Sequence, residues 1–405
     1  MTLALSKTPA EEAFGVSLPH RRMEEWRWTD LRARIDKPYP SQEIAVADKD
    51  VARLIASSPF VKAVKYRAVF INGAYSPQHS VIPAQAGIQL YTSADLAKLD
   101  SRLRGNDGLE GDPVVVLNSS LKPTGLTLRF DATMDVPVEI IHIATSGTAR
   151  AMALRNRIEV GEGASATIIE TFVGEGDYVL NAVTEISVGA GARLDRVKVE
   201  LESHDATHLS YIDCNLAKDA KLNEFTLTSG STLNRQNGNY LFAGENANAL
   251  IAGAYLLNGK QHADTRLVMD HKVPHCTSRE MFKCVMDENA RGIFQGKVIV
   301  RKHAQKTDGK QSSHALLLSE NAEFDAKPEL EIYADDVVCG HGATAGDINH
   351  DHLFYLMARG IPESEAKSLL IGAFVGEAFD GIVNDAMREA MVAFAENWLT
   401  QRKAK

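Results

Sequence analysis

The sequence predicts a mainly β protein whose core is a parallel β-solenoid with helical regions at both ends. Three observations lead to this fold class. Short runs that alternate apolar and polar residues, separated by Gly, Asp and Asn, fill the chain from about residue 136 to residue 343. A small turn that ends in alanine recurs through the same stretch. From Ile361 onward the pattern becomes helical.

The N-terminal part, residues 1–132, is expected to be a mixed α/β region. The predicted elements are a helix from Pro9 that breaks at Pro19, a helix over Arg21–Ile35, strands at Ala68–Ile71 and Val114–Leu117, and a surface loop at Asp100–Gly111. No chemistry is assigned to this region.

The middle part, residues 133–345, is expected to be the solenoid. The recurring turns end at Ala164, Ala192, Ala220, Ala247, Ala290 and Ala322, and the interval before Ala290 is the longest. The first four recur with a period of roughly 28 residues, which lies in the range of solenoid repeats. The clearest strands are predicted at Val138–Ile143, Ala166–Phe172, Leu194–Leu201 and Lys297–Val300. One coil cannot bury its inner face alone, so stacked coils that turn at a small residue would create one continuous core. A two-sheet sandwich is the alternative, and the regular recurrence favours the solenoid.

The C-terminal part, residues 346–405, is expected to be a helical domain. Pro362 suits a first helical position, and Gly381 is expected to divide the segment into two helices. One face of the second helix is predicted to carry Val383, Met387, Ala390, Phe394 and Trp398. In the first helix, Gly372 and Gly376 leave room for another backbone. The pattern fits both a cap on the solenoid and a docking surface for a partner.

Composition narrows the function. The 405 residues carry 44 basic and 53 acidic side chains, a formal charge of −9, which argues against broad nucleic-acid binding. No apolar run approaches the roughly 20 residues that span a bilayer, so no membrane association is expected. Four scattered cysteines do not make a disulfide framework, and a cytoplasmic location is expected. Gly309-Lys310 is followed by Gln311 rather than Ser or Thr, so no ATPase loop is predicted.

The densest chemistry lies in Glu329–Thr344. If this segment is one uninterrupted strand, Cys339 and His341 project from the same face, together with Glu331, Tyr333 and Asp335. A thiolate beside an imidazole suits iron, zinc or an Fe–S species, but a closed zinc site needs four ligands. The pair would then be half of a site that another chain completes, or a transient open site. A buried cysteine beside a surface histidine is the alternative without function.

Other candidate residues have weaker patterns. Their spacing matches no common zinc motif, and core packing or a polar helix start would equally account for them. They are Cys214, His271, His275, Cys276, Cys284, His350 and His352. A basic stretch consists of Arg291, Lys297, Arg301 and Lys302, and it is expected to be either a solvated face or a site for an anionic partner.

Many segments of the chain resemble the SufB/SufD family of Fe–S cluster assembly proteins. The segments that carry the resemblance are Glu24–Leu31, Arg291–Phe294, Gly296–Lys297, Ala304–Asp308, Gln311, Leu316–Ser319, Lys327–Ile332, Ala334–Val337, Cys339, His341–Thr344 and Leu353–Leu356. The likeness extends from about Val136 to the C-terminus. The chain length and the absence of a cysteine cluster from the N-terminal half favour the SufD type over the SufB type.

The resemblance implies a right-handed parallel β-helix and a non-enzymatic scaffold. It implies a complex with a SufB-type subunit through the β-helix and with a SufC-type ABC ATPase through the C-terminal helices. Cys339 and His341 match the family's interface residues, where iron or a nascent Fe–S cluster would bind. Some such complexes also carry a reduced flavin. The alternatives are a SufB-like homodimeric scaffold and a β-helix enzyme acting on carbohydrate. Such an enzyme would need a pair of acids across a cleft, whereas Asp335 and Asp336 are neighbours in sequence whose side chains point to opposite faces.

Overall fold

The structure is a computed structural model that describes residues 6–40, 46–82, 87–91, 111–147 and 149–403. The loop predicted at Asp100–Gly111 therefore lies, apart from Gly111, outside the described residues.

Two sheets run the length of the molecule. In sheet 1 the strands, in spatial order, are β2 (Ala74–Tyr75), β1 (Tyr66–Ile71), β5 (Val138–Ala144), β7 (Ser165–Gly174), β9 (Arg193–Leu201), β11 (Lys221–Thr228), β13 (Asn248–Leu257), β15 (Thr277–Met286), β17 (Asp308–Leu317) and β19 (Val338–Gly346). In sheet 2 they are β3 (Gly87–Tyr91), β4 (Gly125–Phe130), β6 (Arg150–Val160), β8 (Tyr178–Val188), β10 (Thr207–Leu216), β12 (Leu233–Phe242), β14 (His262–His271), β16 (Arg291–Val300) and β18 (Glu323–Ile332).

The chain alternates between the two sheets, and neighbouring strands are parallel apart from β1 with β2 and β3 with β4. This is the predicted β-solenoid. Its repeat is visible in the register, because Arg193 pairs with Lys221 and Lys221 pairs with Asn248, so each step along the sheet equals one predicted repeat. The four strands predicted in the middle of the chain correspond to β5, β7, β9 and the end of β16.

The alanines that mark the repeat lie at the corners of the coils, where the chain passes from one sheet to the other. All six are buried in the interior cluster. The first four corners lead from sheet 2 to sheet 1, whereas Ala290 and Ala322 lie where the chain passes from sheet 1 to sheet 2. The long interval between Ala247 and Ala290 therefore corresponds to one coil and a half, and it is not an interruption of the repeat.

Helical segments cover the outer faces of both sheets. The helices are α1 (Pro9–Phe14), α2 (Leu31–Arg34), α3 (Asp48–Ala56), α4 (Pro113–Ser120), α5 (His350–Ala358), α6 (Glu363–Phe379) and α7 (Asp385–Lys403), with short 3-10 turns at Glu24–Trp26 and Pro77–His79. Trp26 and α4 pack on sheet 2, and α6 packs on sheet 1, where the rings of Phe225 and Phe379 are 5.5 Å apart. None of the described helices is both long and apolar enough to cross a bilayer.

Two predictions for the N-terminal part are wrong. Val114–Leu117 is not a strand but part of α4, because Asp112 caps the helix by accepting a hydrogen bond from the Val114 amide and Pro113 favours the first turn. Arg21–Ile35 is not one helix. Contacts with sheet 2 override the helical pattern: the Trp26 ring lies under the Arg235 guanidinium, and Thr29 bonds to Asp264.

In the C-terminal part the two predicted helices are confirmed as α6 and α7, with Gly381 between them. On α7, Met387 is buried as predicted, and Ala390, Phe394 and Trp398 are half-buried against the same apolar cluster. The buried face also extends one position beyond the predicted stripe, to Met391, Ala395 and Leu399. Val383 lies before α7 and is exposed, because the helix begins only at Asp385.

Candidate functional site

One end of the solenoid is open. β18 and β19 are the last strands of sheets 2 and 1, and within the described residues each pairs with a neighbour on one side only. Large apolar side chains are exposed here: Val338 is 61% exposed, Tyr333 59% and Ile332 41%. Unpaired strand edges beside exposed apolar side chains are typical of a surface that another chain covers.

The prediction of one uninterrupted strand over Glu329–Thr344 is wrong. β18 ends at Ile332, residues 333–337 turn the corner, and β19 begins in the other sheet. Glu331 and Tyr333 therefore do not share a strand with Cys339 and His341. Among the acids of the corner, Asp336 forms an ion pair with Lys306.

The structure nevertheless places Cys339 and His341 on one face of β19. In the register of β17 and β19, Cys339 stands opposite Gly309 and His341 opposite Gln311. Gly309, Gln311 and Cys339 all contribute to, or pack against, the interior of the last coils. The thiol and the imidazole therefore project toward the interior at the open end, on the last strand of the stack.

Cys339 is half-buried, and its thiol lies against the β17 backbone. A Cβ built at Gly309 would lie 3.5 Å from Cys339 Sγ and 3.4 Å from Ser278 Oγ, so the missing side chain leaves room for both groups. Burial raises the pKa of the Cys339 thiol, a shift that the Gly309 backbone amide partly opposes. The thiol is thus protonated at neutral pH, and a metal must displace a proton to bind it.

His341 is exposed, and no hydrogen bond or ion pair holds its imidazole within the described part of the chain. Both ring nitrogens are therefore available to a ligand or to a neighbouring subunit. Across the described residues, no three His, Cys, Asp or Glu side chains converge closely enough to hold a metal ion. As metal ligands, Cys339 and His341 would therefore be an incomplete set.

The other candidate cysteines and histidines have structural positions. Cys276 is buried at a corner of the solenoid, directly after His275, whose φ is 62°. One coil earlier, Ala247 occupies the equivalent position and follows Asn246, whose φ is 61°. Cys276 thus replaces the corner alanine. Cys214 and Cys284 are buried interior residues, and burial raises the pKa of both thiols.

Three histidines are equally explained. His271 is buried, its ring is stacked 4.0 Å from that of Phe242, and its Nε2 lies 3.0 Å from Ser278 Oγ. His350 and His352 are exposed in the first turn of α5, which Asn349 caps.

Carboxylates of neighbouring coils neutralise most of the basic stretch. Arg291 pairs with Asp325 at 2.6 Å, Lys297 with Glu331 at 2.6 Å. Arg301 pairs with Asp270 at 2.8 Å. These ladders of opposite charge agree with a solvated solenoid face, one of the two interpretations of this stretch.

Two polar residues lie beneath His341 to which the sequence pattern assigns no role, although Gln311 is among the residues that carry the family resemblance. In sheet 1, His341 pairs in register with Gln311, and Gln311 pairs with Glu280. Both are buried, Glu280 being 2% and Gln311 3% exposed. The signal that could have found them is their spacing, since Glu280, Gln311 and His341 follow one another at intervals of one coil.

The C-terminal helices carry a second exposed apolar surface. Phe354 is 73% exposed, Tyr355 57% and Leu369 51%. A Cβ at Gly372 or Gly376 would meet no atom within 4 Å, so the groove predicted on α6 is open.

Fold and site together define a parallel β-solenoid whose open end presents a thiol and an imidazole on one face of its last strand. Comparison with known proteins identifies its family. A family profile described as SUF system FeS cluster assembly, SufBD core domain, matches residues 142–374. The chain belongs to this SufBD family of iron–sulfur cluster assembly proteins.

Relatives from three bacteria are similar over most of the chain. The iron–sulfur cluster assembly protein SufD of Escherichia coli is 30% identical over 393 residues, which is 95% of this chain and 90% of the relative. A SufBD family protein of Synechocystis is 29% identical over 387 residues, covering 90% and 84% of the two chains. SufD of Bacillus subtilis is 27% identical over 305 residues, covering 72% and 68%.

Proposed function

We propose that the protein is a scaffold subunit of an iron–sulfur cluster assembly complex, and that Cys339 and His341 contribute ligands for iron or a nascent cluster. The observation that carries this proposal is the coincidence of the open end with the incomplete ligand pair. A soft thiolate and an imidazole suit iron and Fe–S species, and a second subunit at the open end would supply the missing ligands.

The proposed partner at this end is a SufB-type subunit. A solenoid of the same family would continue the unpaired edges of β18 and β19 and would cover Val338 and Tyr333. Since Cys339 and His341 lie on the last strand, such an interface would enclose them between the two chains. The proposal places the complex in a reducing compartment such as the cytoplasm, which suits four free cysteines.

The proposed second partner is a SufC-type ATPase, docked on the C-terminal helices. The exposed rings of Phe354 and Tyr355 and the open groove of α6 support this docking. ATP binding in that partner would move the helices, shift the paired solenoids and expose Cys339 and His341 for cluster building. A reduced flavin would bind to the assembled complex, and we assign no residue of this chain to its binding.

The test is the His341→Ala variant in a complex reconstituted with a SufB-type and a SufC-type subunit under anaerobic conditions. We expect a loss of at least tenfold in bound iron and in the rate of cluster assembly, with the complex still formed. Cys339→Ser is expected to have a smaller effect, since the thiol is half-buried and protonated. His204→Ala, a change to an exposed histidine between β9 and β10, several coils from the open end, is the control. Wild-type iron content and assembly in His341→Ala would refute the assignment.

A second candidate is a homodimeric scaffold, because another copy of the chain could also cover the open edges. Mixing the chain with a SufB-type subunit distinguishes the two. A SufD-type chain should exchange into the heterodimer, whereas a homodimeric scaffold should keep its own mass on size-exclusion chromatography with light scattering.

A further inference from the structure

In the part of the chain that the structure describes, one buried glutamate in the solenoid interior differs from the other buried glutamates. Eight glutamates are buried among the described residues. Seven form an ion pair with a basic side chain; they are Glu11, Glu139, Glu170, Glu185, Glu200, Glu202 and Glu224. Glu280 is the exception, and neither of its carboxylate oxygens has a hydrogen-bond partner in the described part of the chain.

An unpaired carboxylate in a dry interior is strongly unfavourable, so such a group either stays protonated or receives a cation. Burial, opposed by no neighbouring positive charge, raises the pKa of the Glu280 carboxyl well above its usual range. The Glu280 carboxylate can therefore be neutralised either by a proton or by a metal ion. Which of the two it binds depends on whether neighbouring groups can also act as metal ligands.

A second unpaired oxygen lies on the next strand. Gln311 stands opposite Glu280 in the register of β15 and β17, and its Oε1 is also buried without a donor. Neighbouring strands are about 4.8 Å apart. Two oxygens that bind one ion from opposite sides, at about 2.1 Å each, are about 4.2 Å apart. The spacing of the strands therefore allows one ion to contact both side chains.

The backbone of sheet 2 accommodates the Gln311 amide. A Cβ at Gly296 would lie 2.0 Å from Gln311 Oε1, so only glycine leaves this space free. On its other side, Gln311 Nε2 donates a hydrogen bond to the Glu329 carbonyl at 3.1 Å. Gln311 therefore lies across the interior directly beneath His341, between the exposed imidazole and the buried carboxylate.

We propose that Glu280 and Gln311 form an interior binding position for a divalent cation, which enters from the open end past His341. Glu280 supplies two oxygens and the negative charge, and Gln311 supplies one oxygen. Entry requires Gln311 to release Glu329, and loading displaces the proton of Glu280 to solvent. On the preceding strand, Ile251 stands opposite Glu280. Because its side chain is apolar, a cation could not pass further into the interior along this row of residues. This proposal rests on the proposed function in one respect: it is that function that makes ferrous iron the natural cation.

The test uses Mn²⁺, an ion that prefers oxygen ligands, and the loss of its free electron paramagnetic resonance signal on binding. We expect the full-length chain to bind one Mn²⁺ and Glu280→Gln to bind it at least tenfold more weakly. Gln311→Leu should also weaken binding. Glu320→Gln, a change to an exposed acid, should bind as the wild type does. Anaerobic titration with Fe²⁺ should give the same order, and circular dichroism checks that each variant is folded.

The His341→Ala variant separates this proposal from the proposed function. It should keep Mn²⁺ binding within about threefold, because the two interior residues remain. Equal binding by the wild type and Glu280→Gln, or no binding by the wild type up to millimolar Mn²⁺, would overturn the interior site and identify Glu280 as a neutral acid. Either result leaves the role of His341 in the reconstituted complex intact.

Discussion

Arg196 holds two carboxylates in the middle of the solenoid, and its removal should be among the most damaging single changes to the fold. Arg196 Nε donates a hydrogen bond to Glu170 Oε2 at 2.6 Å, and its Nη1 lies 3.1 Å from Glu224 Oε2. All three side chains are at most 1% exposed. Breaking a buried ion pair by removing one partner costs about 3–5 kcal/mol. Because Arg196→Met leaves two buried carboxylates, we expect a loss near the upper end of that range.

The pH dependence of this loss identifies its cause. Burial raises the pKa of Glu170, but the positive charges of Arg196 and its neighbours outweigh burial, so the pKa is below its usual value. Glu170 therefore stabilises the wild type above about pH 4.5, and this contribution disappears as the pH falls. In Arg196→Met, burial dominates and the carboxylate is destabilising at pH 7. Protonation of the carboxylate removes this destabilisation. The difference in the free energy of unfolding between Arg196→Met and the wild type should therefore become smaller toward pH 5.

The assay is urea denaturation followed by circular dichroism at pH 7 and pH 5. The control is the triple variant Arg196→Met with Glu170→Gln and Glu224→Gln, which removes the charges together and should recover most of the lost stability. If the triple variant is as unstable as Arg196→Met, lost packing rather than unpaired charge explains the effect, and the reasoning is refuted.

Two further predictions concern buried residues with structural roles. Burial lowers the pKa of His142 to about 4, below its usual value of about 6.5. Between these two pH values the unfolded chain binds a proton that the folded chain does not. The free energy of unfolding should therefore fall by about 2 kcal/mol between pH 7 and pH 5. His142→Phe, placed between the rings of Phe70 and Phe172, should remove this part of the acid sensitivity in thermal unfolding curves; an unchanged pH dependence would contradict the assignment. Cys276→Ala should change stability by less than about 1 kcal/mol, and Cys276→Leu should cost about 1–3 kcal/mol by overpacking the corner. Equal stability of the two Cys276 variants in urea would show that the corner tolerates size.

The sequence predicts the repetitive part of this fold well, because a coil needs a small residue at each corner and an alternating strand after it. The alanine spacing therefore gives the coil length that the register confirms. It does not reveal which corner a turn occupies, since Ala247 and Ala290 have the same local pattern at opposite corners. Non-repetitive segments were harder to predict. The run Val114–Leu117 suits a strand or a helix, and only its cap at Asp112 distinguishes them.

Part of the candidate site can be predicted from the sequence, because side chains alternate between the two faces of a strand. Cys339 and His341 are two positions apart, and that spacing keeps them on one face of any strand. The corner at residues 333–337 removed Glu331 and Tyr333 from this face, because a turn without glycine is difficult to recognise within a polar segment. Glu280 is two coils and Gln311 one coil away from His341 in sequence, so their spacing is compatible with one row, but their burial and their unpaired oxygens follow only from the structure.

The two ends of the stack differ in their last strands. At the first end, β2 and β3 pair antiparallel with their neighbours, and β2 has only two residues. At the other end, β18 and β19 are parallel to their neighbours and have ten and nine residues. An association that used β18 and β19 of both molecules would bury the same surface on each, so the proposed interface would join two chains and leave no further copy of that surface exposed.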